Sequence, residues 1–96
     1  MSRWAVEMQD SGITDTMKIN ILSALRTAIE THGSSNMYEV CKSVSNWLDE
    51  TYGKVWCVII GETGKAAWFG LYYQDKYLLV KDTTLNWTIR IFEQTP

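Results

Sequence analysis

Proline is nearly missing from this sequence. Its one copy, Pro96, is the last residue, so no helix or strand pattern is broken by it. Histidine occurs once, as His32, and cysteine twice, as Cys41 and Cys57. The two cysteines lie far apart, form no Cys-x-x-Cys pair, and read as packing residues. No Cys/His/carboxylate cluster has metal-ligand spacing, which argues against a metal centre. No window holds a long uninterrupted apolar run, which excludes a transmembrane helix. The opening Met1-Ser2-Arg3-Trp4-Ala5 lacks the apolar stretch of a signal peptide, so the expected setting is cytoplasmic, with reduced thiols. Asn86-Trp87-Thr88 fits a glycosylation sequon, and without a secretion signal it reads as coincidence. Net charge is −2, with no basic cluster, so nucleic acid is a poor partner.

Catalytic sets are missing too. His32 sits beside Gly33-Ser34-Ser35 and reads as a surface or helix-end residue. Ser34, Ser35, Ser43 and Ser45 lack a local base or a nucleophile elbow. Gly61-Glu62-Thr63-Gly64-Lys65-Ala66 superficially suggests a phosphate loop. It lacks the first glycine and the Ser/Thr after lysine, and a strand follows it, so it reads as a hairpin loop. Asp49-Glu50 reads as solvated charge at a helix end, and no calcium-loop pattern occurs. The expectation is a non-enzyme with no cofactor and no metal.

What the chain does have is apolar and aromatic surface. It is 46% hydrophobic and 12% aromatic, with five Trp and five Tyr in 96 residues. That suits one domain over 1–96, with some apolar surface left for an interface. Thr14 and Asp15 can start a helix, and Met17, Ile21, Ala24, Leu25 and Ala28 share one of its faces. His32-Gly33-Ser34-Ser35 stops it. Asn36, with Glu39 three residues on, predicts a capping box for a second helix. There Met37, Val40, Cys41, Val44, Trp47, Leu48 and Thr51 recur at helical spacing, and Tyr52-Gly53-Lys54 ends it.

Beyond Gly53 the pattern becomes β. Val55 to Ile60 is apolar on both faces and predicts a strand covered on two sides. Gly61 to Lys65 predicts a loop, and Ala66 to Tyr73 an aromatic strand. Gln74-Asp75 predicts a break, Lys76 to Lys81 a further strand, and Asp82 to Leu85 a turn. Asn86 to Glu93 alternates, with Trp87, Ile89 and Ile91 on one face. A weak strand near Trp4–Met8 precedes the helices. This order predicts an α+β fold: two helices packed on an antiparallel β-sheet. Two helices cover only one sheet face, so the rings of Ala67-Trp68-Phe69-Gly70-Leu71-Tyr72-Tyr73 on the other face point to a partner.

Nearly the whole chain resembles the small dynein light chain family. Ile13-Thr14-Asp15-Thr16-Met17 resembles the family's opening of helix one, and Leu48-Asp49-Glu50-Thr51-Tyr52 its hydrophobe-Asp-x-x-Tyr helix end. Trp56-Cys57-Val58-Ile59-Ile60-Gly61 resembles its Trp-x-x-Ile-Val-Gly strand, and Phe69-Gly70-Leu71-Tyr72 its Phe-Gly-Ser-Tyr strand. The resemblance implies a dynein light chain-like, strand-exchanged homodimer, in which the strand matching Phe69–Gln74 pairs with the partner subunit's sheet. It places Val55, Cys57, Ile59, Trp68, Phe69 and Tyr72 in the dimer interface. It places Phe69, Gly70, Leu71, Tyr72, Tyr73, Gln74, Asp75, Leu78 and Val80 along a groove that binds linear peptide segments of partner proteins, such as dynein intermediate chain, by β-strand addition. It implies an adaptor of dynein motor complexes, cytoplasmic and cytoskeleton-associated. Similar domains occur behind an EF-hand pair in flatworm tegumental calcium-binding proteins, which gives a second reading as a structural dimerisation domain.

The chain also departs from the family. The loop Gly61–Trp68 is longer, and Gln74-Asp75 replaces a Thr-His-Glu run that helps seat a partner glutamine. Leu78, Val80 and Asp82 stand at positions rich in Phe and Tyr, and Cys57 stands where a histidine usually follows the strand tryptophan.

Overall fold

The computed structural model describes residues 3–65 and 72–94. Its elements are β1 (Trp4–Gln9), α1 (Asp15–His32), α2 (Met37–Tyr52), β2 (Trp56–Glu62), β3 (Tyr72–Asp82) and β4 (Trp87–Gln94). Both helices begin and end where local chemistry dictates. The Thr14 hydroxyl accepts the Met17 N–H at 3.1 Å and caps α1. Gly33, at φ 86°, ends it by donating its N–H to the Ile29 carbonyl, and Gly53, at φ 89°, ends α2 in the same way on Asp49. The expected capping box does not form at Asn36. Its side chain makes no capping bond, and its own N–H, which the box requires, already donates to the Gly33 carbonyl at 3.3 Å.

The strands form one antiparallel sheet in the order β1-β3-β4-β2. Trp56 from β2, Leu78 and Val80 from β3, and Trp87, Ile89 and Ile91 from β4 share a core with Ile21, Leu25, Ala28, Val40, Val44 and Leu48 of the helices. The helices therefore lie on one face of the sheet. On the other face Tyr77 and Phe92 stack at 5.8 Å and are buried.

Three expected boundaries move. Gln74-Asp75 does not break the chain: β3 runs through it, and the polar pair falls in a register irregularity between Tyr72 and Tyr77. The described chain thus has three strands after the helices rather than four. The expected strand Ala66–Tyr73 lies outside the described residues over 66–71. Gly61 and Glu62 belong to β2, where they pair with Thr88 and Trp87. Asp82 ends β3 instead of turning the chain. It is fully buried: Oδ2 takes the Arg3 guanidinium at 2.8 Å, and Oδ1 accepts the N–H groups of Thr84 and Leu85. One carboxylate thus shapes the β3–β4 turn and fastens residue 3 to it.

Candidate strand-addition site

A sheet in this order has two outer strands, β1 and β2, and they differ chemically. The β1 register shifts between Val6 and Met8, and Glu7 between them pairs with Lys81 at 3.1 Å. A bulge and a charge are the devices that discourage a strand from recruiting another. β2 has neither until Glu62: its pairing with β4 is continuous from Trp56↔Glu93 to Glu62↔Trp87. Its outer edge is the regular one.

The pairing also fixes which main-chain groups that edge offers. The Val55 carbonyl accepts the Gln94 N–H at 2.7 Å, and the Thr63 N–H reaches the Asn86 carbonyl at 3.0 Å, so odd-numbered residues turn their polar groups toward β4. Trp56, Val58 and Ile60 turn theirs outward. Side chains of α2 satisfy the first of these: Trp56 N–H donates to Asp49 Oδ1 at 2.8 Å, and Ser45 Oγ donates to the Trp56 carbonyl at 3.0 Å. Val58 and Ile60 remain. The Cys41 side chain interacts with the Ile60 backbone. The Val58 N–H and both carbonyls have no partner among the described residues and suit an incoming strand.

The same contacts explain the helix-end pattern Leu48-Asp49-x-x-Tyr52. Leu48 is core, Asp49 holds Trp56, and Tyr52 packs between Trp47 at 5.7 Å and Trp56 at 6.1 Å. Asp49 is therefore not the solvated charge its place at a helix end suggested. The indole N–H of Trp56 is buried, with no acceptor among the described residues.

A groove of about 310 Å³ runs beside this edge. Tyr38, Cys41, Lys42, Ser45 and Asn46 of α2 form one wall, and Trp56, Cys57, Val58 and Gln94 form the other. Burial pushes both thiols above their ordinary range. For Cys41 the Ile60 backbone opposes that rise and nearby Cys57 adds to it. Neutral thiols are weak nucleophiles. A second hollow, about 350 Å³, lies between the helices over Ala24, Ala28 and Val44, with His32 as the one ionisable side chain among the described residues that line it. No three His, Cys, Asp or Glu side chains converge on a metal-sized site among the described residues.

The expected site residues fall into three groups. Cys57 and Ile59 alternate with the core-facing Trp56, Val58 and Ile60, so they sit on the face away from the helices, half-buried. Of β2 only Trp56 is fully buried, and Val58 and Ile60 on the helix side are half-buried as well. Val55, half exposed, precedes them. Tyr72, Tyr73, Gln74 and Asp75 supply the first stretch of β3, while Trp68, Phe69, Gly70 and Leu71 lie outside the described residues. Leu78 and Val80 are corrected: both are completely buried beneath the helices, where a bound segment cannot touch them. Alternation along β3 signals this, because the two share parity with Asp82 and face the core with it. Tyr38, Lys42 and Ser45 were missed as groove residues, and Asp49 as the acceptor of the Trp56 N–H. Their i, i+4 spacing on α2 was the available signal.

A family sequence model described as dynein light chain type 1 matches residues 5–79, from β1 into β3. No curated protein sequence matches the chain. Among solved structures, the dynein light chain-like domain of Fasciola hepatica calcium binding protein FhCaBP2 superposes with a TM-score of 0.79 at 12% identity, covering 100% of this chain and 96% of that one. The light-chain-like domain of CsTAL3 gives 0.71 at 12% identity, covering 97% and 94%. At such identities the likeness concerns the fold.

Proposed function

Because the chain belongs to the dynein light chain family, we propose that it is a dimeric, non-enzymatic adaptor that binds extended segments of partner proteins by strand addition. The observation that carries the reading is the regular β2 edge, where the Val58 N–H and the Val58 and Ile60 carbonyls have no partner among the described residues beside the α2 groove. In this reading the partner subunit's strand over Phe69–Gln74 adds to that edge. Val55, Cys57, Ile59, Trp68, Phe69 and Tyr72 meet at the two-fold interface. The outer edge of the exchanged strand, Phe69–Asp75, faces α2 and receives the peptide. Main-chain hydrogen bonds supply affinity, and alternate side chains supply selectivity. Two such grooves on one dimer favour a dimeric partner through avidity. Dynein intermediate chain is the natural first partner, in a cytoplasmic, cytoskeletal setting.

Sedimentation at micromolar concentration tests the dimer, and titration with extended segments of dynein intermediate chain tests the groove. A strict monomer overturns the strand-exchange reading. A folded dimer that binds no segment leaves a second reading, a dimerisation domain of a longer calcium-binding protein. The solved domains of FhCaBP2 and CsTAL3, alike over almost their full lengths, favour it.

A further inference from the structure

We infer that this groove selects extended segments carrying an acidic side chain, and that Lys42 is the residue that selects it. The inference rests on the strand-addition reading and adds the chemistry of the occupant. Among the described residues Lys42 is the one cation lining the groove, and no carboxylate lines it. Lys18, Lys65 and Lys81 are occupied by Asp15, Glu62 and Glu7, and Lys76 by the Gly12 carbonyl, while exposed Lys54 lies away from the groove lining. Lys42 has no ion pair among the described residues. Its helix neighbours four residues away are Tyr38 and Asn46, which are neutral. Ser45 and Asp49, the next polar groups toward β2, are committed to the Trp56 carbonyl and N–H. Glu39, three residues before Lys42, makes no ion pair with it and does not line the groove, so the fold brings a positive charge to the groove wall that no described carboxylate meets.

The spacing suits a strand. Tyr38, Lys42 and Asn46 follow one another at i, i+4, about 6 Å apart along the helix axis. A strand lying along α2 turns every second side chain toward that wall, about 6.8 Å apart. Three alternate residues of a bound segment thus meet Tyr38, Lys42 and Asn46 in turn. An apolar or aromatic side chain suits the exposed ring of Tyr38, a carboxylate suits Lys42, and a polar side chain suits Asn46. Main-chain pairing is indifferent to sequence, so this stripe is where selection occurs.

A random peptide library displayed on phage is panned against wild type, Lys42→Met and Lys42→Glu, each checked for an unchanged circular dichroism spectrum. Selected peptides are then titrated by fluorescence anisotropy at low and high salt. Wild type is expected to select Asp or Glu at one fixed position, with enrichment lost in Lys42→Met and turned to Lys or Arg in Lys42→Glu. Replacing the selected acid by its amide is expected to weaken binding about tenfold at low salt and less at high salt. Peptides with a shared pattern but no acidic position, or acidic enrichment that survives Lys42→Met, overturn the inference and leave strand addition standing. A folded protein that selects no peptide overturns both.

Discussion

Two aspartates carry more of this fold than their sequence neighbourhoods suggest. Asp49 stands next to Glu50 at a helix end and Asp82 before two threonines, and both contexts are those of solvated residues. Each is instead tied to a distant backbone or side-chain group, Trp56 in one case and Arg3 in the other, and sequence spacing does not encode such contacts. Asp82 gives the sharper test, because it is fully buried and satisfies three partners. Asp82→Ala strands the Arg3 guanidinium and two N–H groups, and is expected to cost about 3–5 kcal/mol in urea unfolding. Asp82→Asn keeps an oxygen for the turn and loses only the charge, so it is expected to cost less. Equal costs for the two variants overturn this division of labour. The cysteines give a pH test. The folded state raises both thiols above 9.0, so it holds their protons more tightly than the unfolded chain does. Stability is then untouched below pH 9 and falls as pH rises from there toward the folded values. The Cys41→Ala, Cys57→Ala double variant is expected to show a shallower alkaline loss than wild type. Urea midpoints from pH 7 to pH 10 measure the difference between the two.

At the scale of elements the helices were the most legible part. An 18-residue and a 16-residue helix without proline, each stopped by glycine, leave their periodicity undisturbed. The strands were legible by content and not by boundary. Gln74-Asp75 has the polarity of a turn, and Gly61-Glu62 the composition of a loop, yet Gly61 and Glu62 pair with β4, and Gln74-Asp75 lies in an irregularity between Tyr72 and Tyr77, both paired with β4. Single-sequence propensity does not see a partner strand. The openness of the β2 edge was also beyond the sequence, since it depends on which strand ends the sheet. It predicts the behaviour of one substitution. Val58 turns its N–H away from β4, so Val58→Pro removes no bond within the described sheet and takes away an edge donor. The variant is expected to fold, with a loss of about 1–3 kcal/mol from backbone strain and altered packing. It is also expected to sediment as a monomer. A Val58→Pro dimer as tight as wild type would mean that the β2 edge is not where subunits join.

For the whole molecule, one chain leaves the sheet unfinished in two ways. Among the described residues the outer edge of β2 has no partner strand, and Cys57 and Ile59 on the face away from the helices are only half covered. A second copy that supplies a strand to that edge closes the ladder and covers that face together, so folding and association become linked. A linked dimer has a stability that depends on concentration. Each tenfold increase in protein adds about 1.4 kcal/mol per mole of dimer to the free energy of unfolding to separate chains. The urea midpoint of wild type is therefore expected to rise with concentration, whereas a monomer's does not move. Ile59→Glu places a charge on the half-covered face without entering the core under the helices. It is expected to leave a folded chain whose midpoint is independent of concentration and lower than that of wild type at high concentration. Circular dichroism across a hundredfold concentration range distinguishes the cases. A flat midpoint for wild type overturns strand exchange. A midpoint that still rises in Ile59→Glu keeps the dimer and moves its interface off this face of the sheet, to the helices or to β1.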